Sequence, residues 1–93
     1  MDRRGRIEAR LREAFAPLAL EVVDDSARHR GHAGASSGAG HFRVVLVSER
    51  FRGVPRLERH RMVHDALAAE LREEIHALEL SVRSPEESAG QAP

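Results

Sequence analysis

Six histidines in a chain of 93 residues without a single cysteine are the side chains best able to do chemistry here. Imidazole is a neutral metal ligand and titrates near physiological pH. With no thiolate present, disulfides, thiol catalysis and the Cys-rich zinc and iron–sulfur motifs are excluded. Any metal that this chain holds must be bound through His, Asp or Glu. His60 and His64 stand i, i+4 in HRMVH, a spacing that can chelate zinc. Arg61, however, occupies the place where a zinc protease needs its general-base Glu. Both histidines project into the arc of Leu57, Leu67 and Leu71, so packing against a sheet is the expected role. His29 and His32 lie in a Gly-, Ser- and His-rich stretch where side chains are open to partners. His41 begins the strand that follows it, and His76 lies at the start of another strand.

The second candidate chemistry is anion binding. Arg50, Arg52, Arg56, Arg59 and Arg61 cluster where a long helix should begin, interrupted only by Glu49 and Glu58. Such a patch could contact phosphate, or form a solvated helix face balanced by Glu70, Glu73 and Glu74. The 15 basic and 15 acidic residues cancel, so the molecule as a whole is not a polyanion binder. No Trp or Tyr interleaves the arginines, which weakens any reading as a single-strand stacking surface. The serines Ser26, Ser36, Ser37 and Ser48 have no nucleophile-elbow context. Paired carboxylates and a phosphate-cradling GK[ST] are absent as well. An enzyme acting alone is not expected, nor is a small-molecule substrate.

These side chains need a scaffold, and the patterning supplies one. Ile7, Leu11, Ala14 and Phe15 share one helical face, and Pro17 should force Ala16 out of the α region. Residues 18–24 and 41–48 alternate as strands, with Phe42, Val44 and Leu46 on one side. Residues 25–40 form a long loop between them. Pro55 opens a helix that should run to about Glu73 with Leu57, Val63, Leu67 and Leu71 inward. Residues 75–83 form a third strand with Leu78, Leu80 and Val82 inward. A helical crossover between the second and third strands implies that they are parallel. The expected architecture is a three-stranded mixed sheet with helices on one face. Residues 1–84 form a single domain, and residues 85–93 form a polar, disordered tail. No apolar run is long enough to cross a membrane, and the basic start lacks a signal-peptide pattern. A cytoplasmic protein is expected.

Four ordered blocks make the pattern more specific: DDSARHRGHAG, HFRVVLVS, FRGVPRLERHRMV and IHALEL followed by SPEE. Together, over about residues 5–87, they resemble the BolA family. The resemblance implies an α+β, class II KH-like fold of order αββααβ. It also implies a monothiol glutaredoxin as partner, with a [2Fe–2S] cluster shared between the two proteins. The glutaredoxin would contribute its Cys and a bound glutathione. This chain would contribute His76 and a histidine of the loop, His29 or, next, His32. Some family members carry Cys in that loop, so this chain corresponds to a histidine-ligated member. No cluster is expected on the isolated chain. Some bacterial members act as transcription regulators of stress response and cell morphology. The alternative function is therefore DNA binding through Arg52, Arg56, Arg59 and Arg61. The GHAG string joins strands rather than helices, so it does not correspond to the RNA-clamping GxxG loop of KH domains.

Overall fold

A computed structural model describes residues 1–26 and 40–89. His29 and His32 lie outside the described residues. Helix α1 (Arg3–Phe15) starts on Asp2, whose carboxylate accepts the Gly5 N–H at 2.8 Å. It buries Ile7, Leu11 and Phe15, the stripe expected from the periodicity. Ala16, ahead of Pro17, is displaced into the left-handed region at φ 43° and closes the helix by donating its N–H to the Arg12 carbonyl. The Ser48 hydroxyl, fully buried, donates to the Phe15 carbonyl at 2.7 Å and so satisfies one of the orphan acceptors of the helix end.

Strands β1 (Ala19–Asp24), β2 (Gly40–Val47) and β3 (Ile75–Arg83) form one sheet in the order β1-β2-β3. The β1–β2 pairing is antiparallel and the β2–β3 pairing parallel. The crossover holds a short 3₁₀ turn (Glu49–Phe51), α2 (Arg56–Ala66) and α3 (Ala68–Glu73). The long helix expected from the sequence is therefore two helices meeting at Leu67, which gives the αα of the αββααβ order. Phe42, Val44 and Leu46 of β2 and Val82 of β3 pack with Ile7, Leu11, Phe15, Val63 and Leu67 in one core beneath the helices. Each such side chain contributes roughly 1.5–3 kcal/mol on burial.

The inward face of α2 and α3 differs from the one expected for a single long helix. Leu57 is 63% exposed and His64 is exposed, whereas Arg59 and Glu70 are buried beside Val63 and Leu67. Hydrophobic periodicity treats every charged residue as outward. Arg59 and Glu70 go inward because each meets a partner, Glu87 and Arg10 respectively. His60 is half-buried, at the margin of the packed face.

The segment expected to be a disordered tail begins with a further helix, α4 (Pro85–Ala89). Its signal is Ser84-Pro85-Glu86-Glu87, a capping box with proline at the first helical position. The Glu87 carboxylate accepts the Ser84 N–H at 2.9 Å and grips Arg59 through both oxygens, at 2.5 and 3.0 Å. The Arg59 hydrogen bonds, with the Ser84 N–H, hold the Glu87 carboxyl at about 2, against an ordinary 4.5. A carboxylate whose pKa is depressed on folding stabilises the fold fully above its unfolded value and loses that contribution as pH falls toward the folded one. Docking of α4 should therefore be complete at pH 5 and weaken between about pH 4.5 and 2. An NMR titration of the Glu87 side chain and the Ser84 amide should show a midpoint near the lower limit. A midpoint at the ordinary carboxylate value would mean that the clamp is not formed.

Candidate metal centre

The first residues of β2 and β3 lie side by side, and histidine is the second residue of each strand. Gly40 is opposite Ile75 while His41 is opposite Ala77, so His76 is the additional residue of a bulge. The side-chain pattern requires this bulge. Ile75 is buried and Leu78 packs against the core, yet their odd separation cannot place both on one face of an uninterrupted strand. The bulge absorbs the extra residue and turns His76 out to solvent. Gly40 permits the tight start of β2, since a Cβ there would come within 2.2 Å of the buried Phe42 ring.

The His41 and His76 rings are 5.2 Å apart between centroids and inclined at 48°. A cavity of about 230 Å³ opens beside them, lined by Asp25, His41, Ala77 and Glu79 over Phe42 and Leu78. Asp25 also carries an ion pair to Arg43 at 3.6 Å. The chain on both sides of residues 27–39 is fixed to the same point. Asp24 accepts the Ser26 N–H at 2.9 Å, Ser26 Oγ accepts the His41 N–H at 3.0 Å, and the Asp25 N–H donates to the His41 carbonyl at 2.7 Å. The segment carrying His29 and His32 thus leaves and rejoins the described residues next to His41 and His76. Among the described residues, no three His, Asp or Glu side chains are arranged to hold a metal ion. The donor set among the described residues is a pair of imidazoles, one exposed and one half-buried.

His41 was not among the candidate ligands drawn from the sequence. Its signal was present: parallel pairing of two strands that open on HF and IH must bring the two histidines together. His60 and His64 lie on α2, away from this pair, and His64 is exposed rather than packed.

The arginine cluster is dispersed by its partners. Arg59 is buried, donating to Glu87 and to the Val54 carbonyl at 2.7 Å while lying 6.0 Å from the Phe51 ring centroid. Arg52 pairs with Glu49 at 2.8 Å and with Glu86, and these hydrogen bonds raise its pKa. Arg61 pairs with Glu58 at 2.7 Å. Arg56 is exposed and has no ion pair among the described residues. No glycine occurs at the α2–α3 junction, where a nucleic-acid-binding KH domain would place GxxG.

Comparison with known proteins follows the same lines. Residues 11–87 match the family model described as BolA-like protein. The chain is 52% identical over 87 residues to the DNA-binding transcriptional regulator BolA of Escherichia coli, covering 94% of this chain and 80% of that protein. It is 46% identical over 79 residues to BolA-like protein 1 of Homo sapiens, covering 85% of this chain and 56% of that one. The BolA domain of SufE1 from Arabidopsis thaliana superposes with a TM-score of 0.82 at 37% identity, over 94% of this chain and 96% of that domain.

Proposed function

The chain belongs to the BolA-like protein family, and from that premise we propose that it donates histidine ligands to a [2Fe–2S] cluster shared with a monothiol glutaredoxin. The observation that carries this reading is the bulge that turns His76 outward beside His41. The donor set fits one side of such a cluster. Imidazole ligation is known at [2Fe–2S] centres and raises their potential relative to all-Cys ligation. Two irons need more ligands than a pair of imidazoles supplies, so the remainder comes from the partner's Cys and its bound glutathione. When bound, the cluster supplies one-electron and iron–sulfur delivery chemistry. This chain's part is to present His76 from the start of β3, with its second histidine from the segment between β1 and β2. Iron–sulfur and iron homeostasis in the cytoplasm is the corresponding cellular role, and no catalytic step is assigned to the chain itself.

Co-expression with a monothiol glutaredoxin from the same source tests the reading. The purified complex should show a visible cluster spectrum distinct from that of the glutaredoxin alone. The chain purified alone should be colourless. A stable cluster on the isolated chain, or an unchanged glutaredoxin spectrum in the mixture, would refute the shared-ligand role.

A second reading, DNA binding, is favoured by the name of the Escherichia coli relative. Here it would have to run mainly through Arg56, because Arg52, Arg59 and Arg61 already hold carboxylates.

A further inference from the structure

At the far end of β3 from His76, a groove of about 730 Å³ runs between the start of α2 and residues 80–83. Val54, Pro55, Arg56 and His60 form one wall, Leu80 and Arg83 belong to the other, and the Arg59–Glu87 clamp also lines it. Among the described residues β3 is an edge strand, with β2 as its one sheet neighbour. The direction of its backbone groups follows from two contacts. The Arg83 carbonyl accepts the Ser48 N–H at 3.0 Å, on the sequence that continues β2, while the Val82 carbonyl faces Arg59 at 3.5 Å. Successive residues of a strand point to opposite sides, so the N–H and C=O of Leu80 point outward with those of Val82. Neither Leu80 group meets a backbone partner from the helices or turns among the described residues. An edge of this kind is a template for an added strand.

Charge identifies what would be added. Most arginines among the described residues are engaged: Arg4, Arg6, Arg10, Arg12, Arg43, Arg52, Arg59 and Arg61 hold carboxylates. Arg50 donates to the Ala14 carbonyl and lies over Phe15, and Arg3 lies near the Phe42 ring. Arg56, Arg72 and Arg83 are the remainder without an ion pair among the described residues, and Arg56 and Arg83 face each other across this one groove. The groove's only carboxylate, Glu87, is held by Arg59. The geometry points to an acidic, extended segment of a partner protein, which docks in the groove as a fourth strand beside β3 and places alternate carboxylates against Arg56 and Arg83. Main-chain pairing with Leu80 gives affinity, and the two arginines give selectivity. A nucleic-acid strand suits the site less well, because no Phe, Tyr or Trp lines it for base stacking.

The inference is independent of the histidine site, and so is its test. The probe is a labelled synthetic peptide of about ten residues that alternates Glu with Thr or Val, read by fluorescence anisotropy and by amide shifts of the full chain. The peptide should bind and shift the Leu80 amide. Its Arg-for-Glu counterpart should not bind, and N-methylation at alternate positions should abolish binding. The double variant Arg56→Glu, Arg83→Glu, with native circular dichroism, should weaken binding by about tenfold or more. His76→Ala should bind as wild type does. Absence of binding, equal binding of the N-methylated peptide, an unaffected double variant, or binding of oligothymidine in place of the peptide would each overturn the proposal.

Discussion

His76→Ala is expected to abolish the mixed-ligand cluster spectrum of the complex with a monothiol glutaredoxin while leaving the free protein folded. The His76 side chain is exposed, and it stands on a bulge whose register is set by Ile75 and Leu78 rather than by the imidazole. Substitution of an exposed side chain of this kind changes stability by no more than about 0.5 kcal/mol. Loss of groups that merely orient a ligand costs about 10–100-fold in metal affinity, so loss of a ligand itself should exceed that range. The visible spectrum should revert to that of the glutaredoxin alone, with circular dichroism and melting temperature unchanged. His29→Ala and His32→Ala, tested singly, should divide: one reproduces the His76 result and the other does not, which identifies the second ligand. His41→Ala provides the control for proximity, since its ring lies in the same pair but is half-buried over the cavity. A His76→Ala complex with an unaltered cluster spectrum would remove this histidine from the ligand set. An unfolded variant would show that the ring packs rather than ligates.

Much of this arrangement was legible because it rests on period. Ile7, Leu11 and Phe15 recur at helical spacing and are all buried. Phe42, Val44 and Leu46 alternate and lie under the helices. Part of what escaped a reading by hydrophobicity has one cause, polar groups that hold structure. Arg59 turns the buried face of α2 away from Leu57, and Glu70 is buried on α3, because paired charges can be buried while unpaired ones cannot. Ser84 and Glu87 turn an apparently solvated tail into a docked helix. The bulge at His76 was latent in the conflict between Ile75 and Leu78, which share a face but not a parity. His41 became a neighbour of His76 only through cross-strand register, which no single segment encodes. The family resemblance, by contrast, pointed to His76 without any of this geometry, and the geometry shows that residue turned outward at the start of β3 beside His41.

Arg59 is the residue on which the two functional readings diverge most. Arg59→Ala should destabilise the fold by about 2–4 kcal/mol, a cost typical of breaking a buried, multiply hydrogen-bonded charge. Its guanidinium donates to Glu87 and to the Val54 carbonyl, reaches the Val82 carbonyl at 3.5 Å, and lies 6.0 Å from the Phe51 ring centroid. Removing it strips the clamp from α4, leaves the Val54 carbonyl short of a donor and opens a space above Phe51, which is fully buried. Glu87→Gln, which keeps one acceptor and removes the charge, should cost less, because Arg59 retains its carbonyl partners. If DNA binding depended on Arg59 through phosphate, its loss would reduce the slope of log affinity against log salt by about 0.9. The side chain is only 10% exposed, so the expected slope is unchanged once binding is corrected for the folded fraction. Arg56→Ala should behave in the opposite way, with stability unaltered and the slope of any duplex-DNA binding reduced. Thermal unfolding of the three variants, with DNA titrations at two salt concentrations, separates these outcomes. An Arg59→Ala protein with wild-type melting temperature and a flattened salt slope would place the guanidinium on a phosphate and make DNA the first partner of this surface.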